Sequence, residues 1–433
     1  MLTQNENNRV TLTGRGTPAG ELMRRFWQPA ALVDELPRDR PAVAVELMGE
    51  KLVLFRDDKG NYGLIDRQCP HRGADLCFGR LENGGIRCPF HGWLFDVNGA
   101  CLEQPAEPED SQFYKKIHHI SYPCFERSGI VFAYLGPGEP PDFPHFDCFA
   151  APPAYTFAFK GHIEANWLQA LEVGIDPSHA SFLHRFFEDA DDPVDGYGQQ
   201  FRDSTEDIPV TKLMRENVRP EIAVENTNSG FRIFSKRDLE NLGVHMRVTN
   251  LAFPNAIIIP MSNDITISQW HVPVTEVECY WYAIFTAFEE KVDKKAMQDQ
   301  REELYTLPDY KPKRNRSNNW GYDPEEQKNK TFTGMGSDIN VHDNWAVESP
   351  GRVFDRSKEH LGTTDKAIIA YRRMLLKAIK DVEEGKKIPF IADANLMTGP
   401  VAVDTIGSVD KSEKWWLEID RLRRLKSPWA RKI

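Results

Sequence analysis

A chain of 433 residues is longer than one hydrophobic core usually supports, which predicts two domains or more. The formal net charge of −11 disfavours nucleic acid or an anionic membrane as a general partner and suits a soluble enzyme. The polar start, residues 1–8, has no apolar signal core, and apolar runs such as 256–259 are too short to span a bilayer, so a cytoplasmic protein is expected.

In chain order, residues 19–27 read as a helix, with Thr17 as its cap and Pro18 in its first turn. Short apolar runs at 43–48, 51–56 and 62–65 are separated by turn residues and read as strands, and 130–135 reads as a closing strand of the same small domain. Two loops lie between these strands, Cys69-Pro70-His71 and Cys88-Pro89-Phe90-His91, and each offers one thiolate and one imidazole. Zinc modules usually pair like ligands with like, whereas a mixed Cys and His pair in each loop is the ligand set of a Rieske [2Fe-2S] cluster, a one-electron relay. Pro70 and Pro89 stiffen the loops, Gly73 and Gly92 permit positive φ, and Trp93 is placed to shield the site. Arg72 reads as half of a structural ion pair.

The five other cysteines, Cys77, Cys101, Cys124, Cys148 and Cys279, are scattered and read as buried thiols in a reducing compartment. Proline-rich stretches at 136–141 and 151–153 read as a linker. The expected organisation is therefore an N-terminal helical segment (1–40) packed on a catalytic domain, an all-β Rieske domain (41–150), and the catalytic domain (151–433).

The catalytic part opens with Asn166 and runs to Asp176-Pro177-Ser178-His179, with His184 five residues on. Two histidines and a carboxylate on one face of a metal make the facial triad of non-haem Fe(II) oxygenases, which leaves positions open for oxygen and substrate. A helix or a locally distorted helix would aim His179 and His184 inward together. Asp176, followed by proline, could instead be a helix N-cap. Carboxylates for a third ligand are many: Asp338, Asp343, Glu348 and Asp355 fall in one stretch. Alternating runs between 192 and 282, such as 230–234, 246–253 and 265–273, read as antiparallel strands, and 364–384 reads as an amphipathic helix ending at Gly385. Sheet and covering helices make this domain α+β.

The run from Cys69 to Leu76, the run from Cys88 to Trp93 and the Asp176/His179/His184 element together resemble the α subunits of Rieske non-haem iron oxygenases, specifically the phthalate dioxygenase-like class. That resemblance implies a helix-grip catalytic fold, Cys69, His71, Cys88 and His91 as cluster ligands, and His179, His184 and Asp343 as ligands of a mononuclear Fe(II). It also implies Asp176 as a bridge from an iron ligand to a cluster histidine of the neighbouring subunit. His342 departs from the class, which commonly has Gln before the ligand Asp, and its role is open. The resemblance further implies a homotrimer α3 without β subunits, O₂ as co-substrate, and electrons from NADH through a separate flavin and [2Fe-2S] reductase. Gly14 and Gly16 do not complete a dinucleotide-binding fingerprint, so NADH is expected on that partner.

The expected reaction is hydroxylation of an aromatic compound, chiefly cis-dihydroxylation of an aromatic carboxylate or aryl ether acid. Oxidative O-demethylation of a methoxylated acid is one alternative, and a non-catalytic Rieske electron-transfer protein another. Arg247 is the candidate clamp for a substrate carboxylate, in competition with Arg232 and Lys236. An acid, Glu221, stands where phthalate-converting relatives are expected to carry an arginine. Val173, standing where some O-demethylating relatives carry Asn, favours ring dihydroxylation.

Overall fold

The structure is a computed structural model and describes residues 1–187, 210–240, 242–262, 264–391, 399–407 and 414–432. The start of the predicted strand-rich stretch, 192–209, lies outside the described residues.

Helix α1 (Gln4–Thr11) is followed by α2 (Pro18–Met23), whose first turn Thr17 caps by accepting from the Gly20 amide at 3.3 Å. The helix stops short of the predicted residue 27 because tertiary contacts outcompete propensity. Arg24 turns to the carbonyls of Thr13 and Met48 and to Glu50, and the rings of Phe26 and Trp27 pack edge-on against Phe253 and Phe125.

Three small antiparallel sheets follow. The first is β1 (Gln28–Leu32) with β11 (Ile130–Ala133) and β10 (Cys124–Arg127); the second is β2 (Ala42–Leu47), β3 (Glu50–Arg56), β4 (Tyr62–Asp66) and β9 (Ser121–Tyr122). The third is β5 (Arg80–Glu82), β6 (Gly85–Arg87), β7 (Leu94–Asp96) and β8 (Cys101–Glu103). Strand β11 is central to its sheet and draws in β1 from the N-terminal segment, whereas α1 and α2 contact helix α5, defined below.

The large sheet is antiparallel, in the order β12 (Thr156–Ile163), β18 (Cys279–Ala287), β17 (Ile265–Pro273), β16 (Ala256–Pro260), β15 (Val244–Ala252), β14 (Gly230–Asp238), β13 (Glu221–Thr227). Strand β15 is long enough to take β16 along its last residues and β19 (Val403–Gly407) along its first. Three helices matter to the site: α3 (Trp167–Gly174), α4 (Ile339–Glu348) and α5 (Lys366–Glu383). Helix α5 realises the predicted amphipathic segment, buries Tyr371, Leu375 and Ile379, packs on β13, and stops before Gly385 at φ 66°. The result is an all-β domain joined to an α+β domain, and one continuous core runs from α2 and β3 through β11 into the large sheet. A separate core underlies the two Cys/His loops. Among the described residues, no helix is long and apolar enough to cross a membrane.

Candidate metal centres and substrate cavity

The two Cys/His loops are built alike. The Cys69 amide donates to the Ala74 carbonyl and the Gly73 amide to the Cys69 carbonyl, both at 2.8 Å; the Cys88 amide donates to Trp93 at 2.8 Å and the Gly92 amide to Cys88 at 3.0 Å. Closing each loop this tightly requires φ of 75° at Gly73 and 77° at Gly92, which glycine adopts without strain. The loops meet with the rings of His71 and His91 4.4 Å apart, and Trp93 stacks on His71 at 4.5 Å. Cys69 and Cys88 are buried, and burial pushes the Cys69 thiol up to about 12. His91 Nδ1 is buried without a hydrogen-bond partner. Two buried thiols and two imidazoles brought together from two loops, one imidazole nitrogen of them without a partner, fit an iron–sulfur cluster. Arg72, expected in an ion pair, instead stands over the exposed Phe90 ring at 5.2 Å.

The second centre forms where the segment after α3 meets α4. His179 sits in a single 3-10 turn, His179–Ser181, rather than an α-helix, and this tighter winding turns His179 and His184 toward one point. Their Nε2 atoms lie 3.9 and 3.3 Å from Asp343 Oδ1, and the three ligand atoms fall within 4.8 Å of one another. Asp343 Oδ1 is buried and has no hydrogen-bond partner. Burial pushes the Asp343 carboxyl up to about 6, and burial with the Arg247 charge holds His184 down to about 3. Two imidazole nitrogens and a carboxylate oxygen without a hydrogen-bond partner thus converge on one point, a donor set that fits a divalent cation.

The competing carboxylates are otherwise engaged. Asp338 caps α4 through the Asn340 amide at 2.6 Å, Glu348 takes the Glu164 amide and Trp320 Nε1 at 2.9 and 2.8 Å, and Asp355 takes Ser357. Asp176 accepts from the Ser178 amide at 2.7 Å through its carboxylate, and its backbone carbonyl accepts from His179 Nδ1 at 2.5 Å. His342 is fully buried, with Nδ1 3.4 Å from His184 Nδ1 and Nε2 2.9 Å from the Gly336 carbonyl.

Below this centre lies a cavity of about 140 Å³, with His179, His184 and Asp343 in its wall. Its floor is one face of the large sheet and its roof is α3, α4 and the Asp176–His184 segment, Val173 included. Strand alternation explains the floor: Ile267, Gln269 and His271 line the cavity, while Trp270 faces away onto Phe132 and Phe149, each ring pair 5.7 Å apart. Arg247 lines the cavity, but its guanidinium is ion-paired with Asp404, directly opposite on β19, which His245 also contacts at 2.9 Å. Arg232 lies over the Trp416 ring, and Lys236 pairs with Glu221 on the surface.

His271 and Gln269 were not anticipated as site residues, although the period-2 pattern of 265–273 places them on one face. Both ring nitrogens of His271 are buried without a partner, and burial holds the ring down to about 3, hence neutral.

Residues 26–125 match the Rieske [2Fe-2S] domain family, and residues 133–423 match the family described as LigXa C-terminal domain like. The phthalate 4,5-dioxygenase oxygenase subunit of Pseudomonas putida is 33% identical over 409 residues, 89% of this chain and 88% of that protein. The chain belongs to the Rieske non-haem iron oxygenases. As an oxidoreductase of this family it uses a Rieske cluster, a mononuclear iron and O₂, and works with separate electron-delivering components. The 5,5'-dehydrodivanillate O-demethylase oxygenase subunit of a Sphingobium strain is 40% identical over 187 residues, 42% of this chain and 44% of that protein. In fold, this Rieske oxygenase resembles the QL mutant of NdmA from Pseudomonas putida CBB5 with theobromine, with a TM-score of 0.59 at 21% identity over 90% of this chain and 98% of that one.

Proposed function

We propose that the chain is the oxygenase component of a multicomponent system that cis-dihydroxylates a single-ring aromatic compound, consuming O₂, two electrons and two protons per product. The observation that carries this reading is the triad of His179, His184 and the unpartnered Asp343 Oδ1, set in the wall of an otherwise largely apolar cavity. Iron held there, fed with electrons by a cluster on Cys69, His71, Cys88 and His91, supplies O₂ activation. The cavity is close in size to an apolar protein cavity of about 150 Å³ that takes up benzene, which favours one ring over a biaryl.

Because Asp404 already matches the charge of Arg247, a ring carboxylate would have to compete for it; a neutral hydroxyl or ether oxygen meets His271 and Gln269 instead. The second reading, oxidative O-demethylation of an aryl methyl ether, is favoured by the similarity to the demethylase subunit. It consumes the same O₂, electrons and protons and releases formaldehyde and water.

The same reading has copies of the chain docking as an α3 ring, so that Asp176 of one subunit meets a cluster histidine of the next. Exposed aromatic rings support it: Phe78, Phe90 and Phe113 flank the cluster loops, and Phe182 and Phe332 form an edge-on pair beside the iron segment. The cytoplasm, with its supply of NADH, is the compartment this reading requires.

The test begins with metal and sulfide analysis of anaerobically prepared protein offered Fe(II). About three irons and two sulfides per chain, falling to about two irons and two sulfides in the His179→Ala/His184→Ala variant, is the expected result. Two irons in both proteins would leave only an electron carrier. Supplying a reductase, NADH and methoxylated or unmethoxylated phenols then separates a cis-diol from a demethylated phenol with formaldehyde.

A further inference from the structure

His342 stands one residue before Asp343 on α4, where the resembled class commonly has Gln, and its two ring nitrogens face two different partners. Nε2 lies 2.9 Å from the Gly336 carbonyl oxygen, which can only accept, so Nε2 carries a hydrogen. The carbonyl is itself held in place: the Gly336 amide donates to Glu326 Oε1 at 2.7 Å, and φ of 82° with Arg314 packed where a Cβ would go fixes the residue as glycine. The ring is fully buried and nearly parallel to that of His184, with 23° between their planes, and the two Nδ1 atoms are 3.4 Å apart. Two facing imidazole nitrogens bond only if one carries the hydrogen and the other a lone pair. With the His342 hydrogen on Nε2, its Nδ1 is the acceptor and His184 Nδ1 the donor. That leaves His184 Nε2 as a bare lone pair 3.3 Å from Asp343 Oδ1, on the metal side.

We infer that His342 is a positioning residue: it accepts the Nδ1 hydrogen of His184 and so holds that ligand in the one tautomer able to bind iron through Nε2. The inference rests on the metal-site reading above. His179 reaches the same state by a different route, its Nδ1 donating to the Asp176 backbone carbonyl. One ligand is thus oriented by its own loop, and the other by a side chain 158 residues along the chain. Outer partners of this kind typically change metal affinity by about 10- to 100-fold when removed.

The experiment compares His342→Leu and His342→Phe, which fill the space without a lone pair, with His342→Asn, whose amide oxygen can take the place of Nδ1. Each Fe(II)-loaded protein, with its cluster intact, is mixed with ferrozine, and the rate at which the mononuclear iron is lost is followed. The visible spectrum of the cluster serves as the internal record of folding. Loss about 10- to 100-fold faster in the Leu and Phe variants, with Asn near wild type, is the expected result. Wild-type retention in either apolar variant overturns the inference, as does equal loss from Asn and the apolar variants, because the acceptor would then be irrelevant. A wild-type protein that never takes up a third iron is a different outcome: it removes the metal-site reading itself.

Discussion

At the scale of single residues, the iron centre is a place where function opposes stability. Asp343 Oδ1, which has no hydrogen-bond partner, and the Nε2 atoms of His179 and His184 lie within 4.8 Å of one another, so the metal-free chain crowds three metal-donor atoms against each other. Asp343→Asn places an amide N–H among them and removes the charge. We expect this variant to lose the mononuclear iron, keep the cluster, and gain about 0.5–2 kcal/mol in urea unfolding of iron-free protein, the range common for a single stabilising substitution. Unchanged or lower stability would show that the crowding is already relieved. The candidate cluster ligands could be read from sequence because each loop packs its donors within four residues; Asp343 as the candidate third iron ligand came from the resemblance, and the structure brings it beside His179 and His184. The contacts of His342 with His184 and of Arg247 with Asp404 were not, because each joins residues more than 150 positions apart.

A second case at this scale is Gly161, opposite Trp281 in the β12–β18 ladder. A Cβ there would lie 2.4 Å from Trp281 Nε1, so Gly161→Ala displaces the indole that lines the cavity. The expected result is weaker binding of ring compounds with iron and sulfide contents unchanged, read by calorimetric titration with phenol. Equal binding would mean that Trp281 moves away from the cavity at no cost to it.

Among elements, the roof of the cavity is tied down by a buried charge network. Glu172 on α3 receives Arg356 at 2.9 Å and Arg372 of α5 at 2.5 Å, and Arg372 is also paired with Glu359. Burial alone would raise the Glu172 carboxyl, yet the two guanidinium groups hold it below the usual range. A depressed carboxylate contributes stability that is fully present above its unfolded value, about 4.3, and is lost as pH falls through its folded value. Glu172→Gln should therefore cost about 3–5 kcal/mol at neutral pH, as for other broken buried pairs, and flatten the acid limb of the stability profile below about pH 4. An acid limb as steep as wild type would move the titrating group elsewhere. Sequence periodicity found α5 and the sheet strands because their burial repeats every 3.6 or 2 residues. It overran α2 and did not settle the turn at His179, where single tertiary contacts decide the winding.

For the whole molecule, the exposed rings around the cluster loops and beside the iron segment predict assembly. If the proposed α3 ring is the assembly, Phe90→Glu and Phe182→Glu are each expected to give a monomer in sedimentation where the wild type sediments as a trimer. Each should keep its full iron and sulfide content and lose coupled turnover while the cluster still accepts electrons from a reductase. A variant that stays trimeric would place the interface elsewhere.

Strand β17 joins the two modules more directly than the linker between them. One of its faces presents His271 to the cavity, and the other, through Trp270, is wedged on Phe132 of β11 and on Phe149. The wall that feels a substrate and the wall that carries the cluster domain are thus two sides of a single plank, one residue thick. Thermodynamic reciprocity then applies: a ring compound that shifts the cluster's midpoint potential must itself be held more or less tightly, by the same factor, when the cluster is reduced.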